Sequence, residues 1–232
     1  VDAERAATAL RTVGAVAAGS LFWLQYFDLK DALQPEPRRR LAQAFALGAV
    51  AAGLAWGAYR ALGLLGLPKS PPRDPDGLVL YCLLAVGPIE EGAKFFVARA
   101  VCFRWKEFDE RIDGLVYAAS VALGFAAVEN LVFLPALPWR EGLLRATVSP
   151  LTHSLFAALW GFGASRALVG GSRGAARFLW QAGPLAGAMA FHGLYDMAIL
   201  VHGWTVAAAG LVAALWAFVI WNARRVVKTS AA

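Results

Sequence analysis

Seven apolar stretches, approximately residues 10–27, 41–67, 77–103, 114–134, 146–168, 178–201 and 204–221, divide the chain, each long enough to cross about 30 Å of hydrocarbon as a helix. Nothing else in the sequence restricts the fold so tightly. Lipid offers no water to satisfy backbone N–H and C=O groups, so spans of this length must close their hydrogen bonds internally, as α-helices. Composition agrees: 59% of the 232 residues are hydrophobic and 16% are charged, with a mean hydropathy of +0.55. A soluble domain has about 25% charged residues. The connectors between stretches are short and polar or proline-rich, among them "DLKDALQPEPRRR", "PKSPPRDPD" and "RWKEFDERID", and leave no room for a separate soluble domain. Residues 1–232 therefore read as one integral-membrane domain, an all-α polytopic bundle of about seven transmembrane helices without internal repeats.

The net charge of +6 does not mark a nucleic-acid binder, because the basic residues sit at the ends of the apolar stretches, where they meet lipid headgroups. The implied partner is the bilayer. Thirteen lysines and arginines fall on the side holding the 28–40, 104–113 and 166–177 connectors and the C-terminus, against six on the other side. The positive-inside rule then places the C-terminus in the cytoplasm. Cys82 and Cys102 lie on the same expected helix, about 30 Å apart by helical rise, too far for a disulfide. They carry no information on redox compartment. The first residue is Val1 and no cleavable signal peptide is recognisable, which leaves the native N-terminus open.

Titratable residues inside the apolar stretches set the second constraint. Glu90, Glu91 and Lys94 fall in the third stretch, Glu129 in the fourth, His153 in the fifth, and His192 and Asp196 in the sixth. At about 2.5–3.5 kcal/mol per charge in mid-membrane, the four acids and the lysine would cost roughly 12–18 kcal/mol if unpaired, comparable with a whole folding stability. Helical rise puts Glu90, Glu129, His153 and His192 all within roughly 8–20 Å of one membrane face, so four helices present polar groups at overlapping depths. Taken singly, each has a plain structural explanation. Lys94 is spaced to pair with Glu90 or Glu91, though it neutralises only one of them. Asp196, one turn after His192, could do no more than fix an imidazole tautomer, and His153 alone fits a hydrogen-bonded core residue. Glu129, with Asn130 beside it and Phe125 one turn earlier, fits polar glue between helices. Their coincidence in depth, with a carboxylate left over, points instead to chemistry. His202 lies in a turn beyond the sixth stretch, at headgroup level.

Four segments carry these residues: "EEGAK" (90–94), "DGLVYAASVALGFAAVEN" (113–130), "SPLTHSLFAALWG" (149–161) and "FHGLYD" (191–196). In order and spacing they resemble the four motifs of the PrsW family of intramembrane proteases, which is grouped with the CAAX prenyl endopeptidases and bacteriocin-processing enzymes. The resemblance covers about residues 88–196 and implies a catalytic core within about 77–201. It implies that Glu90 and Glu91 are the essential acid pair, Glu129 the second-motif acid, and His153 and His192 the histidines, with Lys94, Asn130 and Asp196 supporting them. Ala118 stands where the second motif has glycine, which bears on helix packing rather than chemistry. The implied activity is endoproteolysis of a membrane-bound protein, a regulatory one such as an anti-sigma factor, in a bacterial or archaeal cell membrane.

The residue chemistry agrees. Hydrolysing a peptide bond needs a base for the water and a group that polarises the carbonyl, and a buried carboxylate beside a like charge is suited to proton transfer. No serine or cysteine nucleophile competes. Ser154 adjoins His153 but points about 100° away on a helix, and both cysteines lie far from the histidines in sequence. There is no HExxH motif, so a metal would need ligands from separate helices. His153 and His192 with one carboxylate, Glu129 foremost and Glu90 or Glu91 as alternatives, match a catalytic zinc set, and a divalent metal, zinc first, is expected. A metal-free site in which the glutamates and histidines activate water through hydrogen bonds stays open. The competing function is a proton- or ion-coupled transporter using the same cluster as a relay, although the paired repeats and broken helices of transporters are not apparent.

Overall fold

The computed structural model describes residues 2–31, 34–201 and 204–230, and among them every regular element is helical. The helices are α1 (Asp2–Asp28), α2 (Arg38–Leu64), α3 (Pro75–Tyr81), α4 (Gly87–Ala100), α5 (Asp113–Phe133), α6 (Trp139–Leu168), α7 (Gly174–Leu200) and α8 (Thr205–Ser230). Each apolar stretch becomes one helical passage, the third being α3 continued through a π-helical turn at Cys82–Val86 into α4. Both cysteines are free, and His202 lies outside the described residues. Four passages, α1, α2, α5 and α8, are long and apolar enough to cross a membrane on composition alone. The other three carry the remaining acids, the lysine and the histidines.

Several helices begin earlier than hydropathy indicates. α1 starts at Asp2 rather than near residue 10, and α6 at Trp139 rather than near 146. Hydropathy registers only the length that faces hydrocarbon, whereas the hydrogen-bonded helix continues through charged and aromatic residues into the interface. The consequence for the site is that Arg145 belongs to a helix and not to a connector.

α5 is the central element, buried on nearly every face from Asp113 to Ala127 and wrapped by α1, α2, α4 and α6. Its run of Gly, Ala and Ser explains this, because association of helices in lipid depends on close backbone approach. At the α2 crossing, a Cβ on Gly124 would run into the Phe45 carbonyl oxygen, and one on Gly48 into that of Val121. At the α6 crossing Gly114 faces Gly161, and a Cβ on Gly161 would come within 2.8 Å of the Ala118 methyl. Ala118 is thus accommodated because its neighbour across the crossing is glycine. Gly124→Val should force α2 off α5 and cost about 1–3 kcal/mol or more. A wild-type thermal midpoint for this variant in detergent would show that the crossing is not tight.

α8 packs on α6 and α7, outside the polar centre, as expected for the last passage. It is tied to α1 by Trp216 Nε1, which donates to the Tyr26 hydroxyl at 2.9 Å. At the opposite end of the bundle from the site described below, the α1–α2 connector meets the start of α5, and Asp31, Glu36 and Asp113 are buried together there. Burial pushes the Asp31 carboxyl up to about 6 and that of Glu36 up to about 8, the latter despite a hydrogen bond from the Tyr117 hydroxyl.

Candidate active site

Pro88 has no N–H, so the Leu84 carbonyl loses its usual donor four residues on, and the backbone widens into the π-helical turn just before Glu90 and Glu91. Gly193 of α7 lies against that turn, where a Cβ would meet the Cys82 carbonyl oxygen at 2.5 Å. This close approach brings His192, the residue before Gly193, up to the glutamate pair.

Side chains from α4, α5, α6 and α7 then join in one continuous chain of polar contacts. Arg145 Nη2 donates to Glu129 Oε1 at 2.9 Å, and His153 Nε2 lies 2.8 Å from Glu129 Oε2. On its other face His153 Nδ1 is 2.9 Å from Lys94 Nζ, which donates to Glu91 Oε1 at 2.5 Å. Glu91 Oε1 is also 2.8 Å from His192 Nδ1, and its Oε2 accepts from Trp160 Nε1 at 2.9 Å. An ammonium has donors and no acceptor, so His153 Nδ1 accepts from Lys94 and its Nε2–H points at Glu129. Lys94 and Glu91 are both 0% exposed, and the i,i+3 spacing that allows their pairing was legible in the sequence. Phe156 stacks on the His192 ring with centroids 4.9 Å apart, which restricts its rotation.

Glu90 is differently placed. Its Oε1 accepts from the Tyr59 hydroxyl at 3.0 Å, but its buried Oε2 has no hydrogen-bond partner and lies 3.7 Å from His192 Nε2. That nitrogen is also 3.5 Å from Asp196 Oδ2. Glu90, His153 and His192 each offer a ligand atom, and the three atoms lie within 4.8 Å of one another. Two imidazole nitrogens and a carboxylate oxygen form the donor set of a catalytic zinc site, and the orphaned Glu90 oxygen leaves such a site one unsatisfied ligand atom. Glu91 behind His192 supplies the carboxylate that orients a metal-binding imidazole. The residues present therefore fit a divalent metal that takes the place of the His153 Nε2 proton, with Glu90 where the sequence put Glu129 first. The Glu129 carboxylate is engaged instead by Arg145 and His153.

A cavity of about 520 Å³ reaches the site, bordered among others by Trp56, Tyr59, Glu90, Glu129, Arg145 and Asp196, and extends to Lys69 and Pro71 in the α2–α3 connector. Glu91 and Lys94 stand behind it. Of the supporting residues, Asn130 accepts from Arg145 Nε at 3.1 Å, and Asp196 lines the cavity. Ser154 donates to the Pro150 carbonyl at 2.8 Å, in keeping with its exclusion as a nucleophile.

Three contributors carry no weight in the sequence reading: Tyr59, Arg145 and Trp160. The last two had a signal, since they lie eight residues before and seven after His153, two helical turns in either direction and so on its face of α6. Tyr59 had none, because α2 carries no motif.

Glutamates and histidines gathered around a cavity within a membrane bundle define an enzyme that brings water-dependent chemistry into the bilayer. The profile described as "PrsW family intramembrane metalloprotease" matches residues 36–223, and the chain belongs to that family. It is 31% identical over 219 residues to the protease PrsW of Geobacillus kaustophilus, covering 93% of this chain and 90% of the relative. With the protease PrsW of Bacillus subtilis it shares 27% identity over 214 residues, 92% of this chain and 94% of the relative. No solved structure matches. The chain is thus an integral-membrane metalloprotease, and these likenesses do not favour the transporter reading.

Proposed function

We propose that Glu90, His153 and His192 hold the metal and that Glu129 is the general base of an endopeptidase acting on a membrane-bound protein. The observation that carries this is the division of labour among the glutamates. Glu91 is saturated by Lys94, His192 and Trp160, Glu90 keeps an unpartnered oxygen toward His192, and Glu129 faces the cavity with its side chain 23% exposed. A bound divalent ion such as zinc would polarise the scissile carbonyl and acidify the attacking water.

The chain's own residues do the rest. Glu129, held by Arg145, takes a proton from the water as its oxygen bonds to the carbonyl carbon. It then returns that proton to the amide nitrogen as the C–N bond breaks, leaving a carboxylic acid and an amine. Glu91 fixes the His192 ring through Nδ1 and Tyr59 steadies Glu90, while His153, giving up its Nε2 proton to hold the metal there, takes at Nδ1 the proton it shares with Lys94 Nζ, so that Glu129 is freed toward the water. The apolar wall of Trp56, Val132, Phe133 and Leu200 fits an extended apolar segment of the substrate. The catalytic core spans about residues 77–201, and the substrate class includes regulatory membrane proteins such as anti-sigma factors. The excess of basic residues puts the C-terminus in the cytoplasm and the site nearer the opposite face.

Metal content tests this directly. The wild-type protein should copurify with about one divalent ion per chain, lose activity to a membrane-permeant chelator and recover it with zinc, while Glu90→Gln should hold far less metal. Full activity at a small fraction of one ion per chain would decide for water activation by the side chains alone.

A further inference from the structure

We propose that Asp31, Glu36 and Asp113 form a second cation site, for a hard divalent ion, magnesium or calcium, at the opposite end of the bundle from the active site. Asp31 follows α1, Glu36 precedes α2 and Asp113 opens α5, and each offers an oxygen lying within 4.8 Å of the other two. Their exposures are 1%, 6% and 2%. Glu129 lies sixteen positions after Asp113 on α5, which at the helical rise is about 24 Å, so the two centres do not share a ligand.

Existing partners leave the cluster short of compensation. Asp113 Oδ2 accepts the backbone N–H groups of Asp109 and Glu110 at 2.8 and 2.6 Å, and Glu36 Oε2 accepts from the Tyr117 hydroxyl. Asp31 Oδ1 has only a long contact of 3.4 Å from Gln34 N–H, and Asp31 Oδ2 is buried with no partner at all. Among the described residues no lysine or arginine forms an ion pair with any of the three; Arg40, in the first turn of α2, pairs with Glu107. A buried carboxylate oxygen without a donor, beside two further acids, is a costly arrangement unless a cation completes it.

Access and chemistry agree on the kind of ion. A cavity of about 310 Å³ adjoins the cluster, lined by Glu36, Glu107, Asp109, Glu110 and Asp113 among others, an acidic approach for a cation. The donors are all oxygen, which suits magnesium or calcium and sets this cluster apart from the two-histidine centre in mid-membrane. A cation here would clamp the ends of α1, α2 and α5. The far ends of α2 and α5 present Tyr59 and Glu129 to the active site, so the clamp would steady both.

The test is the thermal midpoint of the full chain in detergent, in chelator and then with magnesium or calcium, for wild type, Asp31→Asn, Glu36→Gln and Glu90→Gln. At an ion concentration about tenfold above Kd, the wild-type midpoint should rise by roughly 3–5 °C. The rise should vanish in Asp31→Asn and Glu36→Gln and persist in Glu90→Gln, whose own metal centre is disabled. In chelator the first two variants should melt at or above the wild-type temperature, because each replaces a carboxyl that burial and its acidic neighbours penalise by a neutral amide of the same shape. Indifference of the wild type to both ions, or a rise that survives Asp31→Asn, would overturn the proposal. So would a rise lost in Glu90→Gln, which would report the active site instead. Should the cluster variants fail to fold, terbium(III) luminescence excited through Tyr117 and Trp105, whose rings are 5.1 Å apart, reads the wild-type site directly. Sensitised emission displaced by calcium or magnesium supports the site, and its absence overturns it.

Discussion

Glu90→Gln should abolish peptide-bond cleavage, by more than about 100-fold, and leave the protein at least as stable as the wild type. Removing even a residue that only orients a metal ligand costs about 10–100-fold, and Glu90 offers a ligand atom itself. The amide keeps the shape and can still accept from the Tyr59 hydroxyl, which now meets Glu90 Oε1 at 3.0 Å. It carries no charge, so burying it in the membrane costs less than burying the carboxylate. Activity on a reconstituted membrane substrate and the thermal midpoint in detergent, measured together, separate a chemical role from a structural one. Asp196→Ala supplies the scale: Asp196 approaches the same His192 nitrogen at 3.5 Å but is not among the three clustered ligand groups, so its loss should be partial, about 10–100-fold. A Glu90→Gln enzyme cleaving at the wild-type rate would place Glu90 outside the reaction.

The passages and most of the site were legible in the sequence because lipid makes both conspicuous. A span must be apolar and helical, so runs of about twenty apolar residues mark the helices, and an acid within such a run stands out because it is expensive. Glu90, Glu91, Glu129, His153 and His192 were visible for that reason, and the structure brings all five into one cluster of contacts. Which carboxylate does what was not legible. Spacing shows that Lys94 can pair with either neighbour, but the choice of Glu91 depends on Trp160 and His192 arriving from two other helices. Tyr59 was invisible because an aromatic residue in an apolar helix looks like any lipid-facing ring. The acidic cluster at the other end was overlooked for the converse reason: Asp31 and Glu36 lie in a polar connector, where acids look solvated, and only the fold buries them against Asp113.

Lys94→Met should be among the most destabilising single changes in the protein, about 3–5 kcal/mol, because it strips the partner from a carboxylate that has no exposed surface. At roughly 2–4 °C per kcal/mol for a chain of this length, the midpoint should fall by about 6–20 °C. The cause is the stranded charge of Glu91 rather than lost packing, since Met nearly preserves the volume and the contact with the Phe125 ring, over which Lys94 Nζ now sits at 4.5 Å. Adding Glu91→Gln should therefore restore most of the stability: the neutral amide's oxygen can still accept from Trp160 Nε1, and its NH2 can donate to His192 Nδ1 once the ring proton sits on Nε2. Activity should not return with it. His192 would then carry its proton on Nε2, the nitrogen that faces Glu90, and His153 would have lost its partner at Nδ1, so both proposed metal ligands would be present but wrongly set. A double variant as unstable as Lys94→Met would show that the loss is one of shape and not of charge. One that is stable and fully active would show that the buried pair serves folding alone.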